Sequence, residues 1–83
     1  MKRVKDEKCT LSGLKVGQKG KILAINILNS DTKRHLLEMG FTTSTIVKIK
    51  KIAPLGDPII IELRGYELYM RKYELKKILV EVV

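Results

Sequence analysis

The sequence predicts a small all-β domain: five short strands and one short helix, closed into a barrel. Three observations carry this. Short runs of β-branched and aliphatic residues recur, several with the period-two alternation of a half-buried strand. Clusters of glycine, proline and asparagine separate them. Only the stretch around residues 29–40 carries the start and stop signals of a full helix. Closure is expected because it removes the edges on which short strands aggregate.

The elements follow in order. Residues 1–9 read as a flexible N-terminal tail and residues 10–83 as the folded domain. Leu11-Ser12-Gly13-Leu14-Lys15-Val16-Gly17 reads as a compact turn whose Leu11 and Leu14 plug the core. Lys21 to Leu28 is a first strand. Leu23, Ile25 and Ile27 share one parity, yet Ile22 and Ala24 are apolar too, so either both faces are covered or a bulge shifts the register. Asn29-Ser30-Asp31 offers short polar side chains for the free N–H groups of a helical first turn. Leu36, Leu37 and Met39 follow, and Gly40 stands where a left-handed C-cap is wanted.

A second strand runs from about Thr45 to Ile52, with Val47 and Ile49 inward and Lys48 and Lys50 outward. Pro54-Leu55-Gly56-Asp57-Pro58 is a turn, two prolines fixing φ and a glycine free to take φ > 0. Ile59 to Leu63 is the third strand. Gly65-Tyr66 turns the chain into a fourth, Glu67 to Met70, with Leu68 and Met70 inward. Lys72 to Lys77 makes one helical turn, and Ile78 to Val83 is the fifth strand.

Composition narrows the function classes. With 83 residues the chain is one domain. Folding at this size buries only about 60–65% of the unfolded surface, which leaves no room for a deep substrate cleft. One cysteine, Cys9, cannot form an internal disulfide, so no oxidising compartment is required. Met1 to Lys8 has no apolar stretch of the secretory kind, and the longest apolar run, Ile59-Ile60-Ile61, is too short to span a bilayer. A cytoplasmic location without membrane insertion is the expectation. The net charge of +8 favours acidic partners, although the lysines are spread along the chain.

Four segments then line up in order: Leu11-x-x-Leu14-x-x-Gly17, Leu36-Leu37-Glu38-Met39-Gly40-Phe41, Ala53-Pro54-Leu55-Gly56-Asp57-Pro58 and Leu68-Tyr69-Met70-Arg71-Lys72. Together they resemble the FeoA family, small cytosolic partners of the bacterial ferrous iron transporter FeoB. The resemblance covers roughly residues 10–82. It implies a five-stranded SH3-like barrel with a helix inserted after the first strand. It also implies docking on the cytosolic side of a FeoB-type membrane GTPase to assist iron uptake. A homo-oligomer is compatible with the sequence. The chain departs from the family at one turn, where Thr43-Ser44 replaces the usual proline-glycine. The same barrel closes metal-dependent repressors, but this chain has no room for their helix-turn-helix reader.

Candidate sites are few. His35, with Glu38 three residues on and Asp31 four before, shares a helix face that could hold a divalent ion. Dedicated sites usually bring three or four ligands, so a solvated histidine is the plainer reading. Cys9 and His35 lack a group to orient them as nucleophile and base. Gly13, Gly17 and Gly20 lack the lysine-serine ending of a phosphate cradle. No enzymatic activity and no cofactor are therefore expected. The rival to protein binding is a basic small barrel that stacks single-stranded nucleic acid on Tyr66, Tyr69 and Tyr73, with Arg71 and Lys72 between them; the resemblance favours protein binding, with no nucleic acid expected. The residues expected to meet the partner are Leu55, Gly56 and Asp57 in the turn, Tyr69 and Arg71 after it, and His35 and Glu38 on the helix. Asp57 can alternatively lock its turn by accepting backbone N–H groups. Leu55 is either an anchor for a partner or a plug folded over the barrel.

Overall fold

The computed structural model of the protein describes residues 7–83. Six antiparallel strands run β1 Lys8–Thr10, β2 Lys19–Ile25, β3 Ile46–Ile52, β4 Ile59–Leu63, β5 Tyr66–Met70 and β6 Ile78–Val82. Helix α1 spans Ser30–Glu38 between β2 and β3, and the short α2 spans Lys72–Leu75 between β5 and β6. The strands form one sheet in the order β1-β6-β2-β3-β4-β5. Five of the six match the expected strands to within a few residues.

The sixth, β1, corrects the expected tail at its inner end. Lys8, Cys9 and Thr10 pair with Glu81, Val80 and Leu79 of β6. The charged sequence before Thr10 hides this strand, because pairing to a neighbour's backbone asks little of its side chains. Residues 1–6, the rest of the expected tail, lie outside the described residues. The strand order is linear, so β1 and β5 end the sheet and no ladder closes it among the described residues.

Among the described residues, 16 buried side chains form one core. It includes Leu11 and Leu14 from the opening turn, Leu36 from α1, Phe41 beyond it, and the inward residues of β2 to β6. The irregular alternation of β2 resolves into a bulge. The register to β6 shifts between Ile22 and Ala24, so Ile22 and Ile25 both turn inward. A second shift between Ile49 and Lys51 leaves Lys50 as the extra residue of β3. Gly20, on β2 opposite Val47 and Val82, has no room for a side chain: a Cβ there would lie 2.8 Å from Val80 Cγ2.

Helix α1 starts and stops as its ends suggest. The Asn29 side chain accepts the Thr32 N–H at 2.9 Å. At the other end Gly40 takes φ +105. The Phe41 N–H then reaches the Leu36 carbonyl at 3.0 Å and the Gly40 N–H the Leu37 carbonyl at 3.1 Å, the paired bonds of a Schellman cap.

The next turn retains the geometry for which proline-glycine is suited. The Thr45 N–H bonds the Thr42 carbonyl at 3.0 Å, and Ser44 at the third position takes φ +77 while Thr43 stays at negative φ. That is the pattern of a type II turn. A left-handed conformation costs a side-chain residue about 1–2 kcal/mol, partly offset by the greater chain entropy glycine loses on folding. Ser44→Gly should therefore stabilise the domain by about 0.5–1 kcal/mol, read as a rise of a few degrees in the thermal midpoint. A fall would contradict this backbone.

Candidate functional site

The turn after β3 is built as a rigid projection. The Gly56 N–H bonds the Ala53 carbonyl at 2.8 Å, and the Ala53 N–H bonds the Pro58 carbonyl at 3.2 Å. Gly56 takes φ +93, which a side chain would strain. Asp57 turns back toward the body of the domain, where its Oδ1 accepts the Lys72 N–H at 2.7 Å. The loop is thereby tied to the β5–α2 junction, because Lys72 is the first residue of α2. Asp57 thus does accept a backbone N–H, from a segment 15 residues away rather than within its own turn.

Leu55 stands at the tip and is 97% exposed. It does not fold back as a plug. Tyr69 lies opposite Ile60 on the outer face, and Ile60 lies opposite Lys51. Arg71 follows one residue past the end of β5. The loop, Tyr69 and Arg71 therefore sit at one end of the β4–β5 hairpin, an aliphatic tip beside an exposed aromatic ring with Lys51 and Arg71 as cations.

His35 and Glu38 are elsewhere. They are exposed on α1, whose C-terminal end meets the opposite end of β5. There Tyr66 donates its hydroxyl to the Met39 carbonyl. Asp31 is engaged by Arg34 at 3.1 Å, and among the described residues no group of three or more potential ligands comes together.

Sequence reasoning missed Arg64. The hairpin turn is Arg64-Gly65, not Gly65-Tyr66, and Tyr66 already belongs to β5. Arg64 at φ 49 and Gly65 at φ 86 make the two-residue type I′ connection. Asparagine or aspartate usually marks its first position, and arginine conceals it. Arg64 is held there by its guanidinium, which donates to Thr42 Oγ1 and Thr45 Oγ1 at 3.2 Å each. Its Cδ also fills the space where a Gly40 side chain would stand.

The outer sheet face is laced with opposite charges. Lys48 faces Glu62, which faces Glu67, and Lys50 pairs with Glu67. That hydrogen bond holds the Lys50 ammonium above the usual lysine range. Lys21 pairs with Glu81 at 3.6 Å. The three tyrosines do not form one platform. Tyr69 lies on the outer face, Tyr66 on the opposite face of β5, and Tyr73 on α2. Cys9 packs half-buried against the core, where burial and then the charge of Glu7 push its thiol up. A raised thiol is a weaker nucleophile at neutral pH.

The family model described as FeoA domain matches residues 9–82. This chain belongs to the FeoA family. A FeoA-like protein of Clostridium acetobutylicum is 39% identical over 92% of this chain and 87% of that one, with a TM-score of 0.80. The FeoA protein of Chlorobium tepidum is 31% identical over 89% of this chain and 70% of that one, with a TM-score of 0.83. Stenotrophomonas maltophilia FeoA, solved with zinc, is 26% identical over 86% of this chain and 87% of that one, with a TM-score of 0.76. It is described as a prokaryotic SH3 domain protein and a candidate ferrous iron transport activating factor. The six-stranded sheet with its inserted helix is thus an SH3-like fold of a family tied to ferrous iron transport. No helix among the described residues is long and apolar enough to cross a membrane.

Proposed function

We propose that this FeoA domain is a non-enzymatic cytoplasmic accessory factor. It binds the cytosolic side of a FeoB-type membrane GTPase transporter and assists or regulates ferrous iron uptake. The observation that carries this reading is the exposed Leu55 on a loop whose conformation is already fixed by Gly56, Pro58 and the Asp57–Lys72 bond. A lone exposed leucine is ordinary, but here it sits at the tip of a fixed loop beside an exposed tyrosine and an arginine. A preformed loop loses little entropy on docking. Tyr69 and Arg71 extend the same surface, and aromatic and arginine side chains are the usual anchors of protein interfaces. His35 and Glu38, on α1, are the second choice for this surface.

The nucleic-acid alternative is disfavoured by Glu62, Glu67 and Glu81 on the outer face, where a stacked strand would run. The two readings separate in one experiment. The purified domain should be retained by the immobilised cytosolic part of the transporter in the presence of excess unrelated RNA at physiological salt. Release by RNA, with salt-sensitive binding of the RNA itself, would favour the alternative.

A further inference from the structure

Strand β5 ends the sheet, and hairpin geometry decides which of its backbone groups are free. A two-residue turn closes on the Leu63–Tyr66 pair, which exchanges both hydrogen bonds. Alternation then makes Ile61–Leu68 and Ile59–Met70 bonded pairs, and Glu62–Glu67 and Ile60–Tyr69 non-bonded ones. The N–H and C=O groups of Glu67 and Tyr69 therefore point away from β4. Among the described residues no ladder runs along that side. Nor does β5, Tyr66-Glu67-Leu68-Tyr69-Met70, carry the lysine or proline with which exposed edges are commonly blunted.

We infer that the β5 edge accepts an extended strand of a protein partner, apolar in alternate positions and acidic at its ends. The inference rests on the protein-binding reading above and names the mode of docking. An added strand would place one row of side chains beside half-buried Leu68 and the other beside Tyr69. One end would fall near Arg71, which has no carboxylate partner among the described ion pairs, and the other near the Arg64-Gly65 turn, where the Arg64 guanidinium is held by Thr42 and Thr45 and adds its positive charge from there. Main-chain bonds hold such strands, and side chains set which strand is taken.

A second copy of this chain fits the edge poorly. Antiparallel self-pairing that uses all four free groups sets Glu67 against Tyr69 and, at both ends, brings the Arg64 turn of one copy toward the Arg71–Lys72 end of the other. Cations brought together repel. Shifting the register by one residue on each copy sets Glu67 against Arg71 and removes that repulsion. But the Arg71 N–H is already given to Glu74 Oε1 at 2.9 Å, and its carbonyl accepts Glu74 and Leu75 N–H. That register keeps only the Tyr69 pair. A foreign strand with acidic ends meets neither obstacle.

The test is an NMR titration of the ¹⁵N-labelled chain with a blocked synthetic peptide, Asp-Val-Thr-Val-Thr-Val-Asp, and with its counterpart ending in lysines. The acidic peptide should shift the Glu67 and Tyr69 amides saturably and slow their hydrogen exchange about tenfold or more. The lysine-ended peptide should bind several-fold more weakly at low salt. Glu67→Pro removes an edge-facing N–H that β4 does not use, so it should fold and lose the response. Glu67→Ala should keep it. If Glu67→Pro fails to fold, the parent amides and Glu67→Ala still decide the matter. Shifts confined to other residues, no saturable shift, or an undiminished response in a folded Glu67→Pro would each overturn the proposal. Slowing of the same amides with protein concentration alone would overturn the choice of a foreign strand in favour of a second copy. Transporter retention is measured separately, so failure with the peptide leaves that reading standing.

Discussion

Replacing Phe41 by alanine should remove about 3–5 kcal/mol of stability, the cost of a large aromatic cavity in a closed core. Phe41 is fully buried and is the largest of the side chains that are. It also follows Gly40 directly, so its backbone closes the α1 cap on Leu36 while its ring sits in the core. An apolar contact between these two positions commonly accompanies such caps. A chain of this length is stable by roughly 4–12 kcal/mol in total. Phe41→Ala should therefore lower the thermal midpoint by tens of degrees or leave the domain unfolded at ambient temperature. Urea unfolding of parent and variant measures the difference. A loss below about 1 kcal/mol would mean that the ring is not enclosed, since exposed positions rarely cost more than ~0.5 kcal/mol.

The fold was legible where a side-chain signal coincided with a backbone need. Asn29 and Gly40 bracket α1 because a cap needs a short acceptor and a left-handed residue needs no Cβ. Ile59 to Leu63 and Ile78 to Val82 were legible as aliphatic, β-branched runs, and in the structure their burial alternates residue by residue. The misses have physical causes too. Strand β1 is held mainly by backbone pairing to β6, and its charged neighbours look like tail. The Arg64-Gly65 turn puts arginine where asparagine is expected, and its stabilising hydroxyls come from Thr42 and Thr45, about twenty residues back. No local pattern reports a bond of that reach.

The candidate site was legible in part. The turn chemistry of residues 54–58 was evident, but two outcomes for Leu55 stayed open, because sequence gives no exposure. The structure decides between plug and tip. It also gathers Tyr69 and Arg71 beside the loop and leaves His35 and Glu38 on α1, whose C-terminal end meets the other end of β5. The Asp57 bond to Lys72 explains why an aspartate belongs in that loop without any chemistry.

Leu55→Asp should leave the domain's stability within about 0.5 kcal/mol of the parent, since the side chain is 97% exposed and touches nothing that folding needs. The same substitution should weaken transporter binding strongly. Truncating or charging an interface anchor commonly costs 2 kcal/mol or more, about a thirtyfold rise in Kd. Aspartate here also adds a charge that the interface must bury. The paired readout matters, because a variant that merely unfolds would lose binding for the wrong reason. The direct test is a calorimetric titration of the transporter's cytosolic part with parent and Leu55→Asp, alongside their thermal unfolding. The account predicts saturable binding by the parent, loss of at least thirtyfold in affinity in the variant, and superimposable unfolding curves. Equal affinity of the two proteins, or an unfolded variant, would contradict the assignment of this loop as the recognition element.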